Sequence, residues 1–123
     1  MEKYNLHSHT YRCGHGDITV ADRQYLEEYI KQGFELVAFT DHIPEKDRID
    51  TRENTRMAYS QIEEYLDATY SIKAEDSKEI TVLSGFEFEY FPRQESRLAE
   101  LKDKTDIMIQ GQHFIQSKNN EVN

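Results

Sequence analysis

The run Asn5-Leu6-His7-Ser8-His9-Thr10 is followed within a few residues by His15 and Asp17. Neutral imidazole and carboxylate are the side chains that zinc, iron and manganese accept as ligands. Tyr4 to His9 reads as a short strand, in which alternate side chains share a face, so His7 and His9 converge on one point. The Gly14-His15-Gly16 turn can fold a third imidazole back over the end of that strand, with Asp17 close behind. A lone histidine is ordinarily a packed or surface residue. A His-x-His pair at a strand end, with a further histidine and an aspartate beside it, points to a metal site.

The elements that must position these groups follow in order. Thr19-Val20-Ala21-Asp22 has the form of a capping box with Thr19 as N-cap, and Leu26, Tyr29 and Ile30 fall on one face of a helix that Gly33 stops. Glu35 to Asp41 contains a nearly continuous apolar run, as expected of a strand covered on both faces. A strand, a helix and a second strand make a right-handed parallel unit, whose functional residues gather at the C-terminal strand ends. Thr40-Asp41-His42 sits at such an end.

A polar loop spans Ile43 to Asn54 and reads as a solvated face or a lid. A second helix is expected from Thr55 to about Ala74, burying Ala58, Ile62, Tyr65, Leu66, Thr69 and Ile72, with Tyr59, Tyr65 and Tyr70 as packing residues. The third strand runs from Ile80 to about Tyr90. There Gly85, Glu87 and Glu89 share one face, and Val82, Phe86 and Phe88 the other. A carboxylate inside an apolar strand is costly unless paired or metal-bound, which singles out Glu87, with the missing side chain of Gly85 leaving room for a cation. Glu89 reads as an outer hydrogen-bond acceptor or a solvent-facing group. A short helix from Glu95 to Lys104, with Leu98 and Leu101 inward, precedes a fourth strand, Asp106 to Phe114, that delivers His113.

All five histidines thus fall at or just beyond strand ends. Composition narrows the partners. The net charge of −9 disfavours nucleic acid and anionic membrane, because phosphate backbones select basic patches. The single cysteine, Cys13, excludes an internal disulfide and reads as a loop thiol, not a nucleophile, in a reducing cytoplasm. No signal peptide or span of transmembrane length is apparent. At 37% hydrophobic and 32% charged residues, the 123-residue chain has few apolar groups with which to close a complete layered fold.

Four motifs in this order, Leu6-His7-Ser8-His9-Thr10, Phe39-Thr40-Asp41-His42, Gly85-Phe86-Glu87 and Gly111-Gln112-His113, resemble those of the PHP (polymerase and histidinol phosphatase) superfamily of metal-dependent phosphoesterases. The stretches Arg12-Cys13-Gly14-His15-Gly16, Gly85 to Pro92 and Ile109 to Phe114 are most similar to its histidinol-phosphate phosphatases of histidine biosynthesis. The resemblance implies an α/β fold, the N-terminal part of a distorted TIM-like (β/α)7 barrel, with about four parallel strands here. It also implies two or three divalent ions (Zn, Mn or Fe) at the mouth. His7 and His9 would bind one, Glu87 would bridge to a second held partly by His113, and His15 with His42 would hold a third. Asp41 would orient an imidazole and Asp17 would be a spare ligand. The implied reaction is hydrolysis of L-histidinol phosphate by a metal-activated hydroxide, with no side-chain nucleophile.

The sequence departs from the family in length. Residues 1–123 read as the N-terminal portion of a PHP domain, lacking the later strands, a late Asp-x-His motif and the basic groups for phosphate. Arg12, Arg48, Arg52 and Arg93 are tied to the site by no spacing rule, although Arg12 is the nearest in sequence. The alternatives are a PHP phosphoesterase with another substrate, an inactive metal-binding fragment, or an amidohydrolase, whose bridging lysine has no counterpart here. A homo-oligomer or a separate C-terminal half would have to complete the site.

Overall fold

The structure of the chain, a computed structural model, describes residues 2–13, 21–44, 57–75, 79–90 and 92–111. Four strands, β1 (Tyr4–Ser8), β2 (Leu36–His42), β3 (Thr81–Phe88) and β4 (Ile107–Gln110), alternate with three helices, α1 (Asp22–Lys31), α2 (Ile62–Glu75) and α3 (Glu95–Lys102). The strands pair in sequence order and all in parallel. Parallel neighbours need a crossover, and each helix supplies one.

The helices cover one face of the sheet. Val37 and Phe39 of β2 and Val82 of β3 bury against Leu26 of α1 and Ile72 of α2. Phe86 further along β3 buries against Tyr65 and Leu66 of α2 and Leu101 of α3, together with Ile43 and Met57. Alternation sends Ala38, Thr40, His42, Gly85 and Glu87 to the other face. Cα atoms of β2 and β4 come within 8 Å of one another although β3 lies between them. A flat sheet would hold them about 9.5 Å apart, so the sheet curls around that second face as the wall of a barrel does.

Local chemistry sets the element boundaries, in places not where the sequence pattern put them. Helix α1 begins at Asp22 behind Ala21, not behind Thr19, which lies outside the described residues. The Gln24 side-chain oxygen accepts the Ala21 N–H at 2.7 Å, and Asp22 is taken up by Arg12. At the other end, Gly33 has φ +82°. The Phe34 N–H reaches Tyr29 O and the Gly33 N–H reaches Ile30 O, both at 3.0 Å, which is a Schellman stop.

Helix α2 starts at Ile62 after a 3₁₀ turn over Tyr59–Gln61, later than Thr55, and Ala58 is exposed. The cause is again a glutamine, since Gln61 Oε1 accepts the Ala58 N–H and stops the turn extending backwards. The five inward positions from Ile62 to Ile72 are buried as the pattern predicts. Strand β3 ends at Phe88 and α3 at Lys102, each two residues early, and the described part of β4 stops at Gln110. Ile43 is fully buried, with its N–H bonded to Glu87 O, so pairing continues one residue into the predicted polar loop.

Candidate metal centre

Strand β1 carries an irregularity that decides where its histidines point. Asn5 pairs with Val37 and Ser8 with Phe39, so three steps on β1 match two on β2. Asn5 Nδ2 and Ser8 Oγ both meet the Tyr29 hydroxyl of α1, at 3.0 and 2.9 Å. Asn5, His7 and His9 have the same parity, and strict alternation would send all three toward α1. The extra residue reverses the later two, and His7 and His9 emerge on the opposite face, against Glu87.

Glu87 is the floor of the site. Its side chain is 2% exposed, and its Oε2 lies 2.9 Å from His7 Nε2, 3.0 Å from His9 Nε2 and 3.3 Å from His42 Nδ1. His42 sits beside Glu87 by direct register pairing of β2 with β3. The rings of His9 and His42 meet edge-on with centroids 4.7 Å apart, and His7 and His9 tilt together at 4.9 Å. His7, with its side chain 51% exposed, forms the open rim.

The donor set fits a divalent ion. His7 Nε2 and His9 Nε2 are 3.0 Å apart while both face the same carboxylate oxygen. Neutral imidazoles cannot place N–H protons on Oε2 and on each other at once. Ligand atoms at about 2.0–2.1 Å from a tetrahedral zinc lie about 3.4 Å apart, close to the spacing seen here. The ligand atoms of His7, His9 and Glu87 all lie within 4.8 Å of one another. The space beside the carboxylate comes from Gly111, where a Cβ would meet Glu87 Oε1 at 2.1 Å. Gly85, expected to leave that room, faces elsewhere: a Cβ there would strike the main-chain oxygen of Ile107 at 1.9 Å. Gly85 is required by the approach of β4. Gly111 was legible only as part of a motif, because its contact with Glu87 depends on β4 curling inward.

Asp41 is fully buried, and its carboxylate accepts the Thr10 N–H at 2.6 Å and the Thr10 hydroxyl. Burial raises its pKa to about 6, against the lowering effects of the Thr10 bonds and the Arg12 charge. Its partner is thus the residue immediately after His9, and any influence on the imidazoles runs through the main chain. Tyr65 supports the same region from behind. Its hydroxyl lies 2.9 Å from Phe39 O and 2.7 Å from Gly85 O, which share its one proton, and it accepts the Asp41 N–H. Burial pushes the Tyr65 phenol well above its ordinary pKa.

Arg12, the basic residue nearest the ligand loop, is committed to structure. Its guanidinium forms a two-pronged pair with Asp22 at 2.8 and 2.9 Å, reaches Glu64 at 2.6 Å and touches the Thr10 hydroxyl. Burial opposes its charge, and the bonds to Asp22 and Glu64 more than offset this, so its pKa is raised. Glu89, read as an acceptor or a solvent-facing group, is 1% exposed, which excludes the solvent-facing reading. His15, Asp17, His113 and Arg48, Arg52 lie outside the described residues. No described helix is long and apolar enough to cross a membrane.

Comparisons with known proteins agree with this architecture. The chain is 29% identical to the histidinol-phosphatase of Bacillus subtilis (strain 168) over 124 residues, covering 95% of this chain and 46% of that protein. A crystal structure assigned as a histidinol phosphatase from Listeria monocytogenes superposes with a TM-score of 0.84 at 21% identity, covering 98% of this chain and 48% of that one. The histidinol phosphate phosphatase of Lactococcus lactis, solved with zinc, L-histidinol and phosphate, gives 0.71 at 22% identity, covering 93% and 41%. The chain therefore has the fold of these proteins and spans about half their length. The family model of the PHP domain matches residues 5–122, nearly the whole chain and every strand residue just described except Tyr4, and the chain belongs to that family.

Proposed function

We propose that residues 1–123 form the N-terminal portion of a PHP domain whose metal centre hydrolyses a phosphomonoester, L-histidinol phosphate, to the alcohol and inorganic phosphate. The observation that carries this is the convergence of three imidazoles from two strands on one oxygen of the buried Glu87. His7, His9, His42 and Glu87 would hold divalent ions of zinc, manganese or iron, with His15, His113 and Asp17 completing the set. Bound there, such ions supply Lewis acidity toward phosphoryl oxygens and toward the attacking water.

The chain's own residues do the rest. Glu87 fixes negative charge at the floor, where the low surrounding dielectric strengthens its hold on cations. The exposed edge of His7 leaves an approach for a substrate, while buried His42 and Glu87 keep the floor free of bulk water. Asp41 and Thr10 set the path of the chain just beyond His9. Substrate choice is supported by the relatives: the Bacillus subtilis protein is a histidinol-phosphatase, and the Lactococcus lactis protein was solved with histidinol and phosphate. The role implied is that of a cytoplasmic enzyme of histidine biosynthesis.

The test is metal content by mass spectrometry together with phosphate release from histidinol phosphate and from a panel of other phosphomonoesters, with His9→Ala as control. Two or three ions with turnover on histidinol phosphate, both lost in the variant, are the expected result. Preference for another ester would move the substrate, and absence of metal would remove the centre itself. A second reading, a metal-binding fragment that does not turn over alone, is favoured by the span of about half of each relative. It predicts metal without phosphate release.

A further inference from the structure

The reversal of face in β1 has an identifiable clamp. The Tyr29 hydroxyl accepts from Asn5 Nδ2 at 3.0 Å and shares a hydrogen bond with Ser8 Oγ at 2.9 Å, the two residues that bracket the extra position. Asn5 Oδ1 in turn accepts the His7 N–H at 2.9 Å, inside the bulge. The Tyr29 ring is itself fixed edge-on against Phe34, with centroids 5.0 Å apart, and Phe34 follows the Schellman stop of α1. Three side-chain bonds from one helix and one strand therefore define a backbone irregularity. Without it, His7 and His9 would face α1.

We propose that Tyr29, through Asn5 and Ser8, is a positioning residue for the metal centre: it holds the β1 bulge in the frame that turns His7 and His9 onto Glu87. This rests on the metal reading above. It adds that the site's assembly is controlled from the far side of the sheet, by a hydroxyl that touches none of the ligands. A strand-edge bulge is soft, because one residue leaves the ladder unpaired. A hydroxyl that selects one register over the regular one can therefore set the aim of two side chains. Removing a group that fixes a ligand's orientation typically lowers metal affinity about 10–100-fold.

The experiment compares wild type with Tyr29→Phe, Ser8→Ala and Ser8→Thr, using Ile62→Val as a core control in the cluster that neither β1 nor α1 enters. Cobalt(II) titration reads affinity and, through the visible d–d absorption, the geometry at the ion. Histidine ring ¹H–¹⁵N spectra of the metal-free proteins read the His7 and His9 environments independently. Tyr29→Phe and Ser8→Ala are expected to weaken cobalt binding about tenfold, to alter the absorption band and to shift both ring signals. Ser8→Thr, which keeps the hydroxyl, and Ile62→Val should resemble wild type.

Unchanged ring signals and affinity in both Tyr29→Phe and Ser8→Ala overturn the clamp. So does an effect that Ile62→Val reproduces, since loss of stability alone would then explain it. If Tyr29→Phe does not fold, the contrast between Ser8→Ala and Ser8→Thr decides. If wild type binds no cobalt, the metal reading fails, and the ring spectra still judge the clamp.

Discussion

A Cβ built on Gly111 would lie 2.1 Å from Glu87 Oε1, whereas one built on Gly85 would lie 1.9 Å from the Ile107 main-chain oxygen. The two glycines therefore have opposite consequences. A carboxylate on a flexible side chain can swing aside, so Gly111→Ala should fold and lose metal affinity. A strand carbonyl cannot move without breaking the β3–β4 ladder, so Gly85→Ala should cost about 1–3 kcal/mol or more in a denaturant titration. Equal losses of metal and stability in both variants would contradict this division. Glu87→Gln separates charge from shape. It removes the negative charge around which three imidazoles gather, so metal affinity should fall by about a hundredfold or more, beyond the range of an outer-shell change. The metal-free protein should be as stable as wild type or more so, since a buried carboxylate is expensive to keep. A large drop in metal-free stability would show instead that the imidazoles alone hold Glu87 as a structural pair.

Between elements, Arg12 connects the exit of β1 to α1 through Asp22 and to α2 through Glu64. Its side chain is 2% exposed and that of Asp22 is 11% exposed. Arg12→Leu would leave the Asp22 carboxylate buried beside an apolar group, and removal of one partner of a buried pair costs about 3–5 kcal/mol. Thermal or urea unfolding should show a loss of that order, and a change under about 1 kcal/mol would place the pair among ordinary surface bridges. This network also marks where the sequence stopped being legible. The period of Ile62, Tyr65, Leu66, Thr69 and Ile72, and the apolar run of β2, are local patterns and gave the helices and the parallel order. The helices start later than the expected Thr19 cap and Thr55 start because Gln24 and Gln61 reach back to the Ala21 and Ala58 N–H groups, contacts that no local pattern announces. His7, His9, His42 and Glu87 could be gathered from strand-end positions. The bulge could not, because it depends on Tyr29 lying across the strand from Asn5 and Ser8, and the burial of Arg12 depends on carboxylates ten and fifty-two residues away.

At the scale of the molecule, the sheet has β2 and β3 at its centre and β1 and β4 at its edges among the described residues. Tyr4 and Leu6 of β1 are 62% and 36% exposed, while β2 is buried along nearly its whole length. Local opening free energy should therefore rise from the edges inward, and amide hydrogen exchange should be faster in β1 and β4 than in β2 and β3. The candidate metal centre is not placed symmetrically on this gradient. His7 and His9 come from the edge at β1 and its exit, and His42 and Glu87 come from the two central strands. An ion held by His7, His9 and Glu87 would tie β1 to the centre, and no described residue of β4 is in that group. Linkage gives the size of the effect: a ligand at a hundred times its dissociation constant stabilises the bound form by about 2.7 kcal/mol, or about a hundredfold in the exchange of amides whose opening breaks the site. Zinc should thus slow β1 amides by up to about that factor and β4 amides much less, inverting the edge-to-centre order at β1 alone. Uniform slowing of all four strands would mean that the sheet opens only as a unit. No slowing at β1, with zinc demonstrably bound, would mean that His7 and His9 are not among its ligands.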